Sequence, residues 1–221
     1  MTWSERAQLY RESPAHREGE DLDLLVAWSK DAATALDVAT GGGHVARRLR
    51  EAGVAVVSTD AAPGMQPDVV TRAEELPFAD GSFDVVVCRV AAHHFGDLPA
   101  AVAEMARVSR DRVIVVDNLF LDDRVEEAER VRDPSHVRNR SEAEWRELFA
   151  AARLSVEEVR RMPKRIEVEP WLERAATPDA DAERVRELLA GRIDDGWITL
   201  DRIAILGRID GGGARIGPRP I

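Results

Sequence analysis

The spacing of apolar positions changes along this chain, and each change marks a new kind of element. The first thirty residues repeat their apolar side chains at helical spacing, ending in Leu22-Asp-Leu-Leu-Val-Ala-Trp28, which predicts one or two helices. Short Val- and Ala-rich runs then alternate with amphipathic stretches. They predict strand 35–39, helix 44–52, strand 54–59, a short strand 68–71, strand 84–88, helix 97–108 and strand 112–117. Strands that read as continuous apolar runs between helices imply a parallel sheet covered on both faces. Beyond Asp117, residues 121–133 and 141–152 have amphipathic helical spacing, and 154–169 and 199–209 read as strands. The Gly- and Pro-rich run 211–221 predicts a disordered tail.

One crossover is too short for its task. Seven residues separate Asp60 from Asp68, whereas a parallel connection normally takes a dozen or more. No helix fits between the second and third strands, so the segment is expected to return nearly extended.

The first strand ends on an acid and breaks into glycines, Ala35-Leu-Asp-Val-Ala-Thr-Gly-Gly-Gly-His44. Glycines remove the Cβ atoms that would hold a ligand off the backbone and permit positive φ. The helix that follows turns its free N–H groups toward the loop, which favours an electron-rich ligand group. Two fingerprints overlap here. Gly41-x-Gly43-x-x-Ala46, with Asp60 further on, fits the dinucleotide pattern. Asp37-x-Ala39-x-Gly41-x-Gly43 fits the loop that binds S-adenosyl-L-methionine (SAM). Asp37 favours the second, because a carboxylate repels a pyrophosphate and suits the cationic methionyl end of SAM.

Composition narrows the partners. At 221 residues and 44% hydrophobic content the chain can bury one sizeable core. A net charge of −10, with Asp and Glu interleaved among the arginines, argues against nucleic acid. The single cysteine, Cys88, rules out an internal disulfide and fits a reducing compartment. No apolar run nears the length of a membrane span and no signal peptide is evident, so a cytoplasmic location without membrane contact is expected. The histidines supply no ligand cluster beyond adjacent His93 and His94, so no metal is expected.

The glycine loop is followed, in order, by Asp60, by Ala73-Glu-Glu-Leu-Pro-Phe78-Ala-Asp-Gly-Ser-Phe83-Asp-Val-Val-Val87, by Arg89-Val-Ala-Ala-His-His-Phe95, by Glu104-Met-Ala-Arg-Val108, by Val115-Val-Asp117-Asn118 and by Arg132-Asp-Pro-Ser-His-Val-Arg138. These blocks resemble the class I SAM-dependent methyltransferases of the ubiquinone/menaquinone-biosynthesis type (methyltransferase type 11), over about residues 5–150. The resemblance implies a Rossmann-like α/β three-layer sandwich with a mostly parallel seven-stranded sheet, whose last two strands form an antiparallel edge. Here the helix between strands two and three is missing. It also implies a division into N-terminal cap helices (1–34), a SAM-binding domain (35–210) with a helical substrate lid around 119–152 and 170–195, and the tail.

Ligands of open α/β sheets gather at the carboxyl ends of the strands. This puts Asp37, Ala39, Thr40, Gly41, Gly43, Asp60 and Ala61 at the cofactor, with Asp60 on the ribose hydroxyls. By resemblance, Ala73 and Glu74 form the adenine loop and Tyr10 belongs to a cap over the cofactor; Arg89 suits the methionyl carboxylate or the substrate. His93 and His94 lie where the transferred methyl points, and a histidine there suits removal of a substrate proton. Neighbouring side chains usually point apart, so one of the pair is expected in the pocket, with His94 favoured. Asp117, Asn118 and His136 are candidates for the substrate, and Asp133 for a clasp with an arginine. The expected activity is methyl transfer to carbon, oxygen or nitrogen of a small organic molecule, by a monomer or a homodimer. The alternative is a protein that binds SAM or S-adenosylhomocysteine (SAH) on this fold without transferring a methyl group.

Overall fold

The computed structural model describes residues 2–210, the side chain of Ala15 aside; the tail expected from residue 211 lies outside them. Three helices come first, α1 (Trp3–Glu12), α2 (Pro14–Arg17) and α3 (Glu20–Ser29). Then follow β1 (Thr34–Val38), α4 (His44–Glu51), β2 (Ala55–Asp60), β3 (Val69–Val70), β4 (Phe83–Arg89), α5 (Leu98–Val108) and β5 (Ser109–Asn118). The second half holds α6 (Asp123–Arg132), α7 (Glu142–Ala151), β6 (Leu154–Glu167), α8 (Val168–Ala175), α9 (Asp179–Leu189), β7 (Ile193–Asp194) and β8 (Trp197–Ile209).

The strands form one sheet in the order β3-β2-β1-β4-β5-β8-β6, with β7 paired to β8 outside that path. From β3 to β5 every pairing is parallel, while β8 runs antiparallel to both β5 and β6. The count is therefore eight rather than seven. The extra strand is two residues long and is turned into β8 by Asp195 and Gly196, both at positive φ (48° and 77°), the Asp-Gly signature of a tight hairpin.

Alternation along the strands divides the core. Ala35, Val85, Val87, Ile114 and Val116 pack with Leu22 and Leu25 of α3 and Val45 and Leu49 of α4. Their neighbours Leu36, Val86, Cys88, Val113 and Val115 face the other way, onto Met105 of α5 and Trp145 and Phe149 of α7. Both faces are apolar, so the strands lack the polar alternation of a half-exposed sheet. A separate cluster joins α6, α8 and α9 to Ile198 and Leu200. It forms because β6 and β8 stay paired as far as Glu167 and Trp197, beyond the end of the β5 pairing at Asn118 and Arg202. No helix among the described residues is long and apolar enough to cross a membrane.

The short crossover is less extended than expected. Pro63–Met65 makes one 3-10 turn, and Gln66 reverses the chain at φ 57°. In place of a crossover helix, α1 lies against this turn, where Ala7, Trp3 and Tyr10 pack with Ala62 and Met65. Gly64 permits the contact: a Cβ there would stand 2.5 Å from the Cβ of Ser4.

Candidate active site

A cavity of about 690 Å³ opens over the carboxyl ends of β1, β2 and β4, roofed by α1 on one side and by α8 on the other. It lies at the switch point between β1 and β4, where successive connections leave for opposite faces of the sheet. Two residues without glycine's freedom sit at positive φ there, Ala39 after β1 and Val90 after β4, each at 55°. Backbone held in this region by a β-branched residue is strained, and such strain collects at ligand sites.

The glycine loop turns on Gly41 (φ 53°) and Gly43 (φ 75°), and a Cβ on either would meet nothing within 4 Å. Gly42 is packed instead. A Cβ there would lie 2.8 Å from the Tyr10 carbonyl oxygen and 2.8 Å from Nε2 of His44. The loop is held by Asp37, which is 1% exposed; its Oδ2 accepts from Oγ1 of Thr40 at 2.5 Å and from the Ala46 N–H at 3.1 Å. Burial pushes the Asp37 carboxyl up to about 7, against those two bonds. Asp60 accepts from the Gly41 N–H at 3.0 Å and the Ala62 N–H at 2.9 Å, one on each oxygen, and burial raises it too. Each oxygen keeps a second lone pair for a ligand hydroxyl.

Most residues singled out in the sequence meet in this cavity. Its wall includes Tyr10, Asp37, Ala39, Thr40, Gly41, Asp60, Ala61, Ala73, Glu74, Arg89, His93, His94 and Asn118. Gly43, Asp117 and His136 are not part of it. Gly43 is the residue from which α4 starts. Asp117 is buried behind His93, and His136 is buried against Glu126, its Nε2 at 2.8 Å from Oε1.

The histidine pair corrects the expectation that one side chain would point away. Ala92–His94 is a 3-10 turn rather than a strand, and both residues line the cavity, their ring centroids 4.1 Å apart. His93 Nδ1 meets Oδ1 of Asp117 at 2.5 Å, and the same carboxylate accepts the His93 N–H at 2.8 Å. Burial works against the His93 imidazolium, but the Asp117 carboxylate prevails and raises its pKa. His94 is the opposite case. Burial, and next the charge of His93, push it well below the usual histidine range. Its Nδ1 lies 3.0 Å from the Ser135 carbonyl oxygen; a carbonyl only accepts, so this nitrogen carries the hydrogen.

Asp133 does form a clasp, with Nη1 of Arg6 at 3.0 Å, and it ties α1 to the loop after α6. Glu126, Glu129 and His136 bring three potential metal-ligand atoms within 4.8 Å of one another, a cluster hidden in the sequence because it needs one helix face and a later loop. Glu126 is already bonded to His136 and accepts the Asn139 N–H, and Glu129 accepts from the side-chain amides of Asn118 and Asn139.

Other cavity residues escaped the sequence reading. Trp171 and Arg174 come from α8, and Arg202 comes from β8 opposite Asn118. Oδ2 of Asp21, in α3, takes Arg89 at 2.8 Å and Arg202 at 2.6 Å. Arg89 also donates to the His16 carbonyl at 2.8 Å, and its Nη2 is buried without a partner among the described residues.

A Rossmann-like sheet carrying a glycine loop, a following acid and a cavity at its switch point defines a nucleotide-type ligand-binding fold. Residues 36–116 match the model of a methyltransferase domain. The chain is 34% identical to the uncharacterized methyltransferase YcgJ of Bacillus subtilis, across 82% of this chain and 81% of that one. The crystal structure of YcgJ aligns with a TM-score of 0.77, at 29% identity over 86% of this chain and 97% of the other. YafE of Escherichia coli is 36% identical over 68% of this chain and 82% of its own length. A demethylmenaquinone methyltransferase of Beutenbergia cavernae is 40% identical over 34% of this chain and 35% of that one. The chain belongs to this methyltransferase family, with the fold of the class I SAM-dependent enzymes.

Proposed function

We propose that the chain is a SAM-dependent methyltransferase acting on a small organic molecule, with His93 as the base that removes the substrate proton. The observation that carries this reading is a single cavity that runs from the glycine loop and Asp60 to an Asp-backed histidine. The residues present suit SAM. Among the described residues, Gly41 and Gly43 leave their Cβ positions open, Asp60 keeps a free lone pair on each oxygen, and Nη2 of Arg89 is a buried donor without a partner. Asp60 would take the ribose hydroxyls, Glu74 the adenine amine, Asp37 the ammonium end and Arg89 the carboxylate. When bound, SAM supplies an electrophilic methyl group on a sulfonium.

The protein's part is then alignment and proton removal. Asp117 holds the hydrogen on Nδ1 of His93, so Nε2 presents its lone pair, and Asp117 stabilises the imidazolium that forms when that nitrogen takes a proton. His94, kept neutral by burial, offers a second acceptor at Nε2 and orients rather than titrates. This moves the base from His94 to His93. Asn118 lines the cavity, its Nδ2 donating to Glu129 at 3.2 Å, and suits a substrate oxygen or nitrogen. Removing water beneath α1, where Trp3 meets the His94 ring edge-on at 4.8 Å, would strengthen each of these polar contacts.

Isothermal calorimetry with SAM, SAH and NAD⁺ in parallel tests the reading. Micromolar binding of the first two without NAD⁺ is the expected result. Binding of NAD⁺ alone, or of none of the three, would overturn it.

A further inference from the structure

The two ends of the cavity carry opposite charge. The glycine-loop end holds the carboxyls of Asp37, Asp60 and Glu74, with Arg72 paired to Glu74, while the far end is lined by the guanidinium groups of Arg132, Arg174 and Arg202, and Arg89 stands between the two ends, its charge felt by Asp37 and by Arg202. Five arginines thus line one cavity in a chain of net charge −10. Arg89 and Arg202 share Asp21. Arg132 and Arg174 have no ion pair among the described residues.

Arg132 is fixed by other means. Its Nε donates to the Trp171 carbonyl at 3.0 Å, and its guanidinium lies over the Trp171 ring at 4.4 Å. Stacking and one backbone bond set its plane and leave Nη1 and Nη2 unused. Arg174, one helical turn after Trp171 on α8, makes no side-chain hydrogen bond among the described residues. The two carboxylates whose charge reaches Arg132 are bonded elsewhere: Asp133 with Arg6 and Ser135, Glu129 with Asn118 and Asn139. Burial depresses the pKa of both arginines, and the charge of Arg132 adds to the effect at Arg174. Two partly buried like charges without a counter-ion are costly to hold together. His16 adds no further charge there, because burial and the charges of Arg202, Arg174 and Arg89 keep its ring neutral. Ile166 and Leu200 give the same chamber an apolar wall.

We propose that the substrate is a small organic anion, its carboxylate or phosphate held between Arg132 and Arg174 and its apolar body set against Trp171, Ile166 and Leu200. The planar, doubly donating edge of a guanidinium matches an oxyanion in charge and shape. The proposal rests on the reading of the glycine-loop end as the SAM site, and it assigns the arginine end to the methyl acceptor.

Calorimetry on SAH-saturated protein tests it with benzoate, phenyl phosphate and benzamide, which share a ring and differ in charge. One or both anions should bind, and which one binds better tells carboxylate from phosphate. Benzamide should bind roughly tenfold more weakly or not at all, as expected for a lost charge-assisted bond. Arg132→Gln and Arg174→Gln should each weaken the anion roughly tenfold or more, Arg174→Lys should recover part of the loss, and all should keep wild-type SAH affinity. Equal binding of benzamide and benzoate, or no anion binding to protein that does bind SAH, would overturn the proposal. A loss of SAH affinity in the variants equal to the loss for the anion would assign the two arginines to SAM and also overturn it. Failure of wild-type protein to bind SAH would instead bring down the reading on which the proposal stands.

Discussion

Replacing Asp37 by Asn should make the protein more stable at alkaline pH while weakening its hold on SAM and SAH. Asp37 is 1% exposed, and its carboxyl titrates near 7 instead of its ordinary 3.8. The native state therefore binds this proton more tightly than the unfolded chain. The stability it contributes is complete below about pH 4 and is lost as pH rises through 7. Each pH unit in that window is worth about 1.36 kcal/mol, so two units between pH 5 and 7 amount to roughly 3 kcal/mol. An Asn keeps an oxygen able to accept from Thr40 and Ala46, the two bonds that hold the loop, and it does not titrate. Urea unfolding of both proteins at pH 5, 6, 7 and 8 measures the effect. The variant should gain on the wild type by roughly 3 kcal/mol from pH 5 to 8, with unchanged m-values. SAH affinity should rise with pH up to about 7 in the wild type and stay flat in the variant. A stability difference independent of pH would refute the assignment of a buried, near-neutral carboxyl to this loop.

Asp60→Ala should weaken SAH by about 2–4 kcal/mol, roughly 30- to 700-fold by calorimetry; unchanged affinity would remove Asp60 from the site. Asp117→Asn should lower the pKa of His93 followed by NMR titration, because the carboxylate is what raises it. In turnover the acid limb of the pH profile should then move to lower pH with a smaller maximum, while SAH affinity holds. Gly42→Ala should cost roughly 1–3 kcal/mol of stability, since the new methyl group would press on the Tyr10 carbonyl. Limited proteolysis should then cut α1 loose more readily than in the wild type.

The part of the site that the sequence displays is the part built from single turns. Asp37, Thr40 and Gly41 lie within five residues of one another, and Asp60 ends the neighbouring strand. Their meeting needs only a parallel pair and a tight loop. The order of the Val-rich strands likewise carries the parallel half of the sheet. The arginine end is different. Arg174 reaches the cavity because β6 and β8 outrun the rest of the sheet and carry α8 over its end, and Arg202 because it closes the β5–β8 pairing opposite Asn118, matters of strand length and register that local patterns do not encode. Asp21 sits in an amphipathic helix as an ordinary polar residue until the fold brings two arginines to one of its oxygens. The histidines mislead for a local reason: alternation holds in a strand, and His93 and His94 have just left one for a 3-10 turn. Asp195-Gly196 does carry a hairpin signature, but a partner strand of two residues leaves no periodicity to go with it.

A crystal structure of the SAH complex tests the central claim most directly. The adenosyl group should lie between Asp60 and Glu74, the methionyl end beside Asp37 and Arg89, and the sulfur facing His93 and the arginine-lined chamber. Density for SAH outside this cavity, or with its sulfur turned away from His93, would contradict it.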